Sequence, residues 1–446
     1  MPKFPVMKNL LCFLAFILLF SCEDKVARNP GPKPVSAKLA ANDYWHYQDT
    51  SLTETVLYDK VFGMLVGSAI GDALGAPTEM WLRGQIEEEY GFVDSFDIVL
   101  REPSAEGPWG RNLPAGAGTD DTRWKELAID YLLTQPNHVL STNDFAEFVN
   151  EQYAIQLDDL KNTEGLEPEP YTAAIRRFEW LQEWARVTRA YESGDIDLYR
   201  DALNRFYGGE MACAGLLYAS AIGAYFPGKP EEAYTAMHDL AIFDLGYARD
   251  ISALGAALTA LAFRDSLTND SIRHHMITID PEGYFDARLL SRLAYQQFQR
   301  AERIVRLTDQ IDTTLVARLA AQELPPDFRG DTIEYVRLQE AYRLLDENAQ
   351  DIPFHAGEIF LVSLTGMLYH RLDFSGAIEF IVNYGRDNDT SAALVGAILG
   401  AYHGAAALPA EQRELVVEVN REVLNIDLEE LARELTEQIL ARRPSS

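Results

Sequence analysis

Apolar residues recur at three- and four-residue intervals along most of this chain, with Ala, Leu and Glu dominating the runs between breaks. That spacing lays apolar side chains along one face of a helix. No Asn-Gly or Asp-Gly hairpin signal stands between alternating strands. Helices are expected to begin near Val56, Thr122, Thr142, Tyr171, Leu198, Glu210, Pro230, Tyr247, Ala287, Ile333, Phe354, Phe374, Thr390, Ala410 and Leu428, with breaks at Gly246, Gly330 and Pro353. So many helices with hardly a strand predict an all-α fold. Residues 265–351 are more polar and read as a candidate insertion, and no internal repeat of fixed period is present.

Two helical segments break the pattern. Gly63, Gly67, Gly71 and Gly75 recur every fourth residue, as do Ala392, Gly396, Gly400 and Gly404. Each glycine costs a helix about 1 kcal/mol relative to Ala. Close backbone packing between helices is the simplest reason to keep them, and the stripes alone imply no chemistry.

The N-terminus reads differently. Lys3 and Lys8 precede the apolar run from Leu10 to Phe20, too short to span a bilayer and suited to a signal-peptide core. The run ends in Leu19-Phe20-Ser21-Cys22, which resembles a bacterial lipoprotein lipobox. This predicts a signal peptide over 1–21, cleavage before Cys22 and lipidation there. A flexible tether over 22–51 follows, around Asn29-Pro30-Gly31-Pro32-Lys33-Pro34. Tyr44, Trp45 and Tyr47 are expected to pack where the tether meets a domain over 52–446. The implied address is the bacterial cell envelope, lipid-anchored at the periplasmic or outer-membrane face, with membrane contact through the N-terminal lipid only.

Composition narrows the function classes. With 39 Lys+Arg against 69 Asp+Glu the net charge is −30, and no basic stripe reverses it locally, which argues against nucleic-acid binding. Three cysteines in 446 residues exclude a disulfide scaffold and a Cys-rich metal site. Cys12 departs with the signal, Cys22 carries lipid, and Cys213 is left alone. No histidine pair has zinc-site spacing.

Three oxygen-rich clusters flank the glycine stripes. Gly75-Ala76-Pro77-Thr78-Glu79 ends the first stripe, Gly118-Thr119-Asp120-Asp121-Thr122 precedes a helix, and Gly385-Arg386-Asp387-Asn388-Asp389-Thr390 precedes the second stripe. Each has a plain alternative: Thr and Asp cap helix N-termini, and a lone Glu is usually a solvated loop residue. Each Asp pair nevertheless carries two acids where a cap needs one. Five carboxylates at one site would repel unless cations were present, and oxygen ligands without His or Cys select Mg²⁺, Mn²⁺ or Ca²⁺. An EF-hand is excluded, because the sixth and twelfth positions from Asp387 are Ala392 and Ile398.

This combination resembles the ADP-ribosylglycohydrolase family. The likeness rests on Gly63-x3-Gly67-x-Ala69-x-Gly71-Asp72-Ala73-Leu74-Gly75-Ala76-Pro77-x-Glu79, on Thr119-Asp120-Asp121-Thr122, and on Asp387-x-Asp389-Thr390 followed by Gly396-Ala397-x2-Gly400-Ala401. It implies a single orthogonal all-α domain with a binuclear metal cleft. The ligands of two Mg²⁺ ions (Mn²⁺ being the substitute) would be Glu79, Thr119, Asp120, Asp121, Asp387, Asp389 and Thr390. The implied activity is hydrolysis at the anomeric carbon of an ADP-ribosyl or related ribosyl group, N- or O-linked, on a small molecule or a protein. Glu79 is the candidate catalytic acid, alone on a flexible loop, with Asp121 as the second. Other readings are a non-catalytic binding or structural member of the fold, and a metal-dependent hydrolase of another envelope metabolite.

The likeness thins mid-chain. Where the family has Asn-Gly-Ala-Ala-Met-Arg beside the substrate phosphates, this chain reads Tyr207-Gly208-Gly209-Glu210-Met211-Ala212-Cys213-Ala214. Gly208 and Gly209 keep a turn ahead of a helix and are candidate substrate-binding residues, while Glu210 disfavours phosphate and the Arg is missing. Tyr247 is a further substrate-binding candidate. With Phe243 it is weighed as base-stacking against simple core packing. No protein partner is implied.

Overall fold

A computed structural model describes residues 52–100, 112–135, 140–165, 175, 179–264, 266–312, 324, 328 and 330–442. The signal, tether and Cys22, the aromatic residues at 44–47 and the helix expected near Tyr171 lie outside the described residues. Residues 47–446 form one compact unit.

Among the described residues there are seventeen α-helices and no strand, only isolated bridges. They are α1 Glu54–Gly75, α2 Arg83–Glu89, α3 Asp120–Leu133, α4 Thr142–Lys161, α5 Gln182–Glu192, α6 Ile196–Leu203, α7 Leu216–Ala224, α8 Pro230–Leu240, α9 Ala248–Ala262, α10 Asn269–Thr278, α11 Leu293–Asp309, α12 Thr332–Asp346, α13 Ala356–Tyr369, α14 Phe374–Tyr384, α15 Asn388–His403, α16 Ala410–Val419 and α17 Leu428–Ala441.

The axis of the fold is the pair α1 and α15. Thr53 caps α1 by accepting from Val56 N at 3.3 Å, and almost every residue from Leu57 on is buried, so α1 has no polar face. A helix this long and apolar would also suit a membrane, but here it is the core. The glycine stripes explain how two such helices meet. A Cβ on Gly63, Gly67 or Gly71 would overlap the carbonyl oxygen of Gly400, Gly396 or Ala392 respectively, and one on Gly75 would overlap the Asp389 backbone. The descending partner numbers make the pair antiparallel. The backbones touch, as small-residue helix contacts allow, and the C-terminus of α1 arrives beside the N-terminus of α15.

The remaining helices wrap this pair. α7, α9, α13 and α14 cover α15, while α3, α16 and α17 cover α1. Trp124, Trp184, Phe206, Tyr218 and Phe243 fill the space between α3, α5 and α7, with the two tryptophan rings 4.2 Å apart. The described residues of the polar stretch 265–351 pack against the rest: α11 packs on α13, and Arg292, fully buried, pairs with Asp250 of α9 at 2.6 Å.

Several helix starts differ from the expectation. The helix expected at Glu210 begins at Leu216, because Ala212 is drawn into a bridge with His355 and Cys213 N donates to Phe354 O at 3.0 Å. The helix expected at Ala287 begins at Leu293, after a turn that takes Ser291 to φ +57°. The sequence does not predict α2, α5 or α10.

Candidate active site

Pairing α1 with α15 brings the first and third clusters together. α1 ends where Pro77, which has no N–H to continue the helix, enters a 3₁₀ turn over Ala76–Thr78. Glu79 follows. Glu79, Asp387 and Asp389 each offer a carboxylate oxygen within 4.8 Å of one another. Glu79 is half-buried and the two aspartates are almost fully buried. Glu79 is therefore not alone on its loop.

The second cluster joins through Asp121, whose Oδ2 accepts from Thr390 Oγ1 at 3.0 Å. Its Oδ1 faces Lys125 Nζ at 3.3 Å, one helical turn on. Thr119, Asp120 and Asp121 thus stand at the N-terminus of α3, and Asp387, Asp389 and Thr390 at that of α15. All three clusters meet on one side of the α1–α15 pair.

Helix capping accounts for Thr119, whose side chain caps α3, but not for the acids. The first turn of α3 is served by Asp72, an acid inside the apolar face of α1 that sequence reasoning quoted but gave no role. Its Oδ2 accepts from Thr119 N at 2.9 Å, Thr122 N at 3.1 Å and Thr122 Oγ1 at 2.6 Å, and its Oδ1 from Thr119 Oγ1 at 2.9 Å. The signal available was a charged residue in an otherwise apolar buried helix. Thr119 Oγ1 spends its proton on Asp72 and accepts from Asp121 N at 3.4 Å. At α15, Asp387 occupies the N-cap position but makes no capping bond. Its Oδ1 is buried and accepts no hydrogen bond, while Oδ2 faces Cys213 Sγ at 3.8 Å and the carboxyl is also hydrogen-bonded by the Asp389 and Thr390 side chains.

The electrostatics follow. Burial, then repulsion from Asp121, pushes the Asp72 carboxyl up to about 6. Burial and next Asp121 push Asp120 up to about 7. Burial takes Asp387 to about 6, with hydrogen bonds from Asp389 and Thr390 opposing the rise and the charges of Asp121 and Asp120 adding to it. Carboxyls enclosed together resist ionising unless positive charge arrives. An all-oxygen donor set with a buried, unsatisfied carboxylate oxygen fits a hard divalent cation.

A family model described as ADP-ribosylglycohydrolase matches residues 53–444. The chain belongs to the ADP-ribosylglycohydrolase family. Family membership supports a glycohydrolase-type function, and such enzymes are generally metal-dependent. The uncharacterized protein YegU of Escherichia coli K12 is 31% identical over 81 residues, 18% of this chain and 23% of YegU. The chain thus spans under a quarter of that relative's length. A solved structure of an ADP-ribosylglycohydrolase-related protein complex is similar at TM-score 0.50 and 18% identity, over 86% of this chain and 99% of that one. At that identity the likeness speaks for the fold.

The ADP-ribosylglycohydrolase fold sets residues 207–213 along the acid cluster. Burial, then the Asp120 charge, raises the Tyr207 phenol at one end of the segment, and Cys213 meets Asp387 at the other. Gly208 and Gly209 lie between, at φ +74° and +78°, with open space beside Gly208. They do not stand at a helix N-terminus as expected: α7 begins seven residues after Gly209, and Gly215 N ahead of it donates to Asp244 Oδ1 at 2.8 Å. Glu210 is exposed beside the turn. Tyr247 is half-buried, its ring 6.1 Å from that of His355. Phe243 is core, enclosed by Trp124, Trp184 and Phe206, and has no face for a base.

Proposed function

We propose that this chain is a metal-dependent hydrolase that cleaves the N- or O-glycosidic bond at the anomeric carbon of an ADP-ribosyl or related ribosyl group. The observation that carries the reading is the convergence of Glu79, Asp387 and Asp389 within 4.8 Å, with the Asp387 Oδ1 buried and unsatisfied. Glu79, Thr119, Asp120, Asp121, Asp387, Asp389 and Thr390 would hold two Mg²⁺ or Mn²⁺ ions. Bound there, the cations supply ligand positions for vicinal ribose hydroxyls and acidify a bound water.

The chain's own residues account for the rest. Cleavage at the anomeric carbon passes through an oxocarbenium-like state, which nearby carboxylates stabilise electrostatically. Glu79 is the least buried of the three converging acids and suits proton transfer at the reacting water or leaving group. Asp121, already engaged by Lys125 and Thr390, suits a fixed orienting role better than a proton-transferring one. Gly208, Gly209 and Tyr247 would contact the remainder of the substrate. The exposed Glu210 favours a second substrate class, a ribosyl compound without a diphosphate, over ADP-ribose itself.

The lipobox supports an envelope location through a lipid on Cys22, with no nucleic-acid partner. A screen of ADP-ribosyl and simple ribosyl compounds with Mg²⁺ or Mn²⁺, comparing wild type with Glu79→Gln, tests the activity. Metal-dependent release of free sugar that is lost in Glu79→Gln supports it. No turnover of any ribosyl compound by the metal-loaded wild type favours a non-catalytic member of the family.

A further inference from the structure

The loop carrying Glu79 and the loop carrying Asp387 run side by side as two short extended segments. Met80 N donates to Arg386 O at 2.7 Å, Arg386 N donates to Trp81 O at 2.7 Å, and Leu82 bridges Gly385 in the same antiparallel register. Asn388 adds a side-chain stitch, its Nδ2 donating to Thr78 Oγ1 at 2.8 Å. Together these bonds set where Glu79 stands relative to Asp387 and Asp389.

The stitch is built on strained backbone. Met80 lies at φ +66° and Arg386 at φ +65°, where a Cβ crowds the neighbouring carbonyl. Such conformations persist only where the surroundings over-determine them. For Arg386 the surroundings are explicit. Its Nε donates to Glu358 Oε1 at 2.6 Å, and its Nη2 donates to Glu358 Oε2 at 2.9 Å and to Gln350 O at 2.7 Å. Gln350 N closes the ring on Glu358 Oε2 at 2.6 Å. Glu358 is almost fully buried in the first turn of α13, whose start is itself pinned by the Ala212–His355 bridge. A planar guanidinium held in two places cannot rotate freely about its stem. The one basic residue inside the acidic motifs therefore spends its charge on Glu358.

We propose that Arg386 is a positioning residue for the carboxylate site: gripped by Glu358, it holds the strained backbone that keeps Glu79 beside Asp387 and Asp389. This rests on reading those acids as cation ligands, and the test separates the two claims. Arg386→Ala is the decisive variant, because it removes the grip and keeps the Cβ that strains this φ; Arg386→Gly, which adopts the same φ without strain, removes the need for the grip as well and should lie nearer wild type. Arg386→Lys keeps the charge without the fork and serves as a third variant. The full chain, checked for helix content by circular dichroism, is titrated with Mn²⁺ by calorimetry, and amide exchange at positions 80 and 386 is followed without metal.

Arg386→Ala is expected to stay folded, to bind Mn²⁺ about tenfold more weakly, the usual scale for outer partners of metal ligands, and to exchange faster at both amides. Arg386→Lys should fall between. Unchanged affinity with unchanged exchange in Arg386→Ala overturns the proposal. If wild type binds no Mn²⁺, the cation reading fails, and exchange alone decides: faster exchange in Arg386→Ala supports the grip, and unchanged exchange overturns it.

Discussion

Two buried aspartates on this fold, Asp250 and Asp387, are treated in opposite ways. Asp250 is fully buried, and Arg292 meets it with two hydrogen bonds, Nε to Oδ2 at 2.9 Å and Nη2 to Oδ1 at 2.6 Å; Tyr234 OH adds a third at 2.7 Å. The spare Arg292 Nη1 donates to Met276 O at 3.0 Å and Ile279 O at 2.5 Å. Every strong group is satisfied inside the protein. Asp387 is almost as buried, yet Oδ1 accepts nothing, its other partners are a thiol, Thr390 and a second acid, Asp389, and no ion pair reaches it among the described residues. A buried carboxylate costs several kcal/mol unless charge and hydrogen bonds compensate it. The fold closes the first site with its own cation, tying residues 265–351 to α9. It leaves the second open, and that opening is the chemical argument for a cation from outside.

The comparison breaks most visibly at the closed site. Arg292→Met strands Asp250 without a partner and should cost about 3–5 kcal/mol, read by urea unfolding. The loss should be the same with and without Mn²⁺, since this pair serves structure. Adding Asp250→Leu should recover much of it, because an apolar pair no longer leaves a bare charge. A loss below about 1 kcal/mol for Arg292→Met would mean that the pair is not what anchors the polar segment.

At the open site the effect runs through ligand. A cation bound only by the folded state adds about 2.7 kcal/mol at a hundredfold excess over Kd. Mg²⁺ or Mn²⁺ should therefore raise the melting temperature and chelator should reverse it. Asp387→Asn should lose most of that gain, while its metal-free form is at least as stable as metal-free wild type, because a buried charge has gone. A melting curve that ignores both metals and chelator removes the cation site, and the catalytic proposal with it.

A third test reaches the open site through packing. A Cβ on Gly71 would overlap the Ala392 carbonyl, so Gly71→Ala must push α1 from α15. Overpacking of this kind costs about 1–3 kcal/mol, against about 1 kcal/mol returned by helix propensity. Because the same contact sets Glu79 beside Asp387, the metal-induced stabilisation should shrink as well. Gly84→Ala in α2, with nothing within 4 Å of the new Cβ, is the control: it should gain up to about 1 kcal/mol from helix propensity and leave the metal-induced stabilisation unchanged.

What the sequence disclosed was mostly what a period discloses. The two glycine stripes announced a close helix pair, and the acids at their ends announced where it mattered. Read as antiparallel, the stripes alone would have brought Glu79 to Asp387. The Arg292–Asp250 pair was illegible, because nothing local distinguishes it from any other Arg and Asp. Residues 210–213 were read as helix since Glu, Met and Ala favour one; a bridge to His355 outweighed that preference. The sequence leaves Phe243 open between base stacking and core packing, because the aromatic cage that decides for the core is assembled from distant segments. Asp72 lies within the quoted motif, but its role requires knowing that α3 begins against it.

The smallest expected effect is on the pH dependence of metal-free stability. Asp72 and Asp387 at about 6 and Asp120 at about 7 lie above the unfolded value near 3.9. Between about pH 4 and 7 the folded state thus holds protons that the unfolded state has released. By linkage, stability falls as pH rises through that window. Burial holds His275 down at about 4, and a histidine lowered in the fold gives the opposite slope, so the raw profile mixes the two. The clean quantity is the difference between wild type and Asp387→Asn, in which the histidines cancel. Metal-free wild type should lose melting temperature relative to the variant from pH 5 to pH 7, by a few degrees. Saturating Mn²⁺ should reverse the sign, since the cation competes with the same protons and its stabilisation grows as they leave. Parallel profiles for the two proteins without metal would mean that Asp387 is already compensated within the fold, and the contrast with Asp250 would disappear.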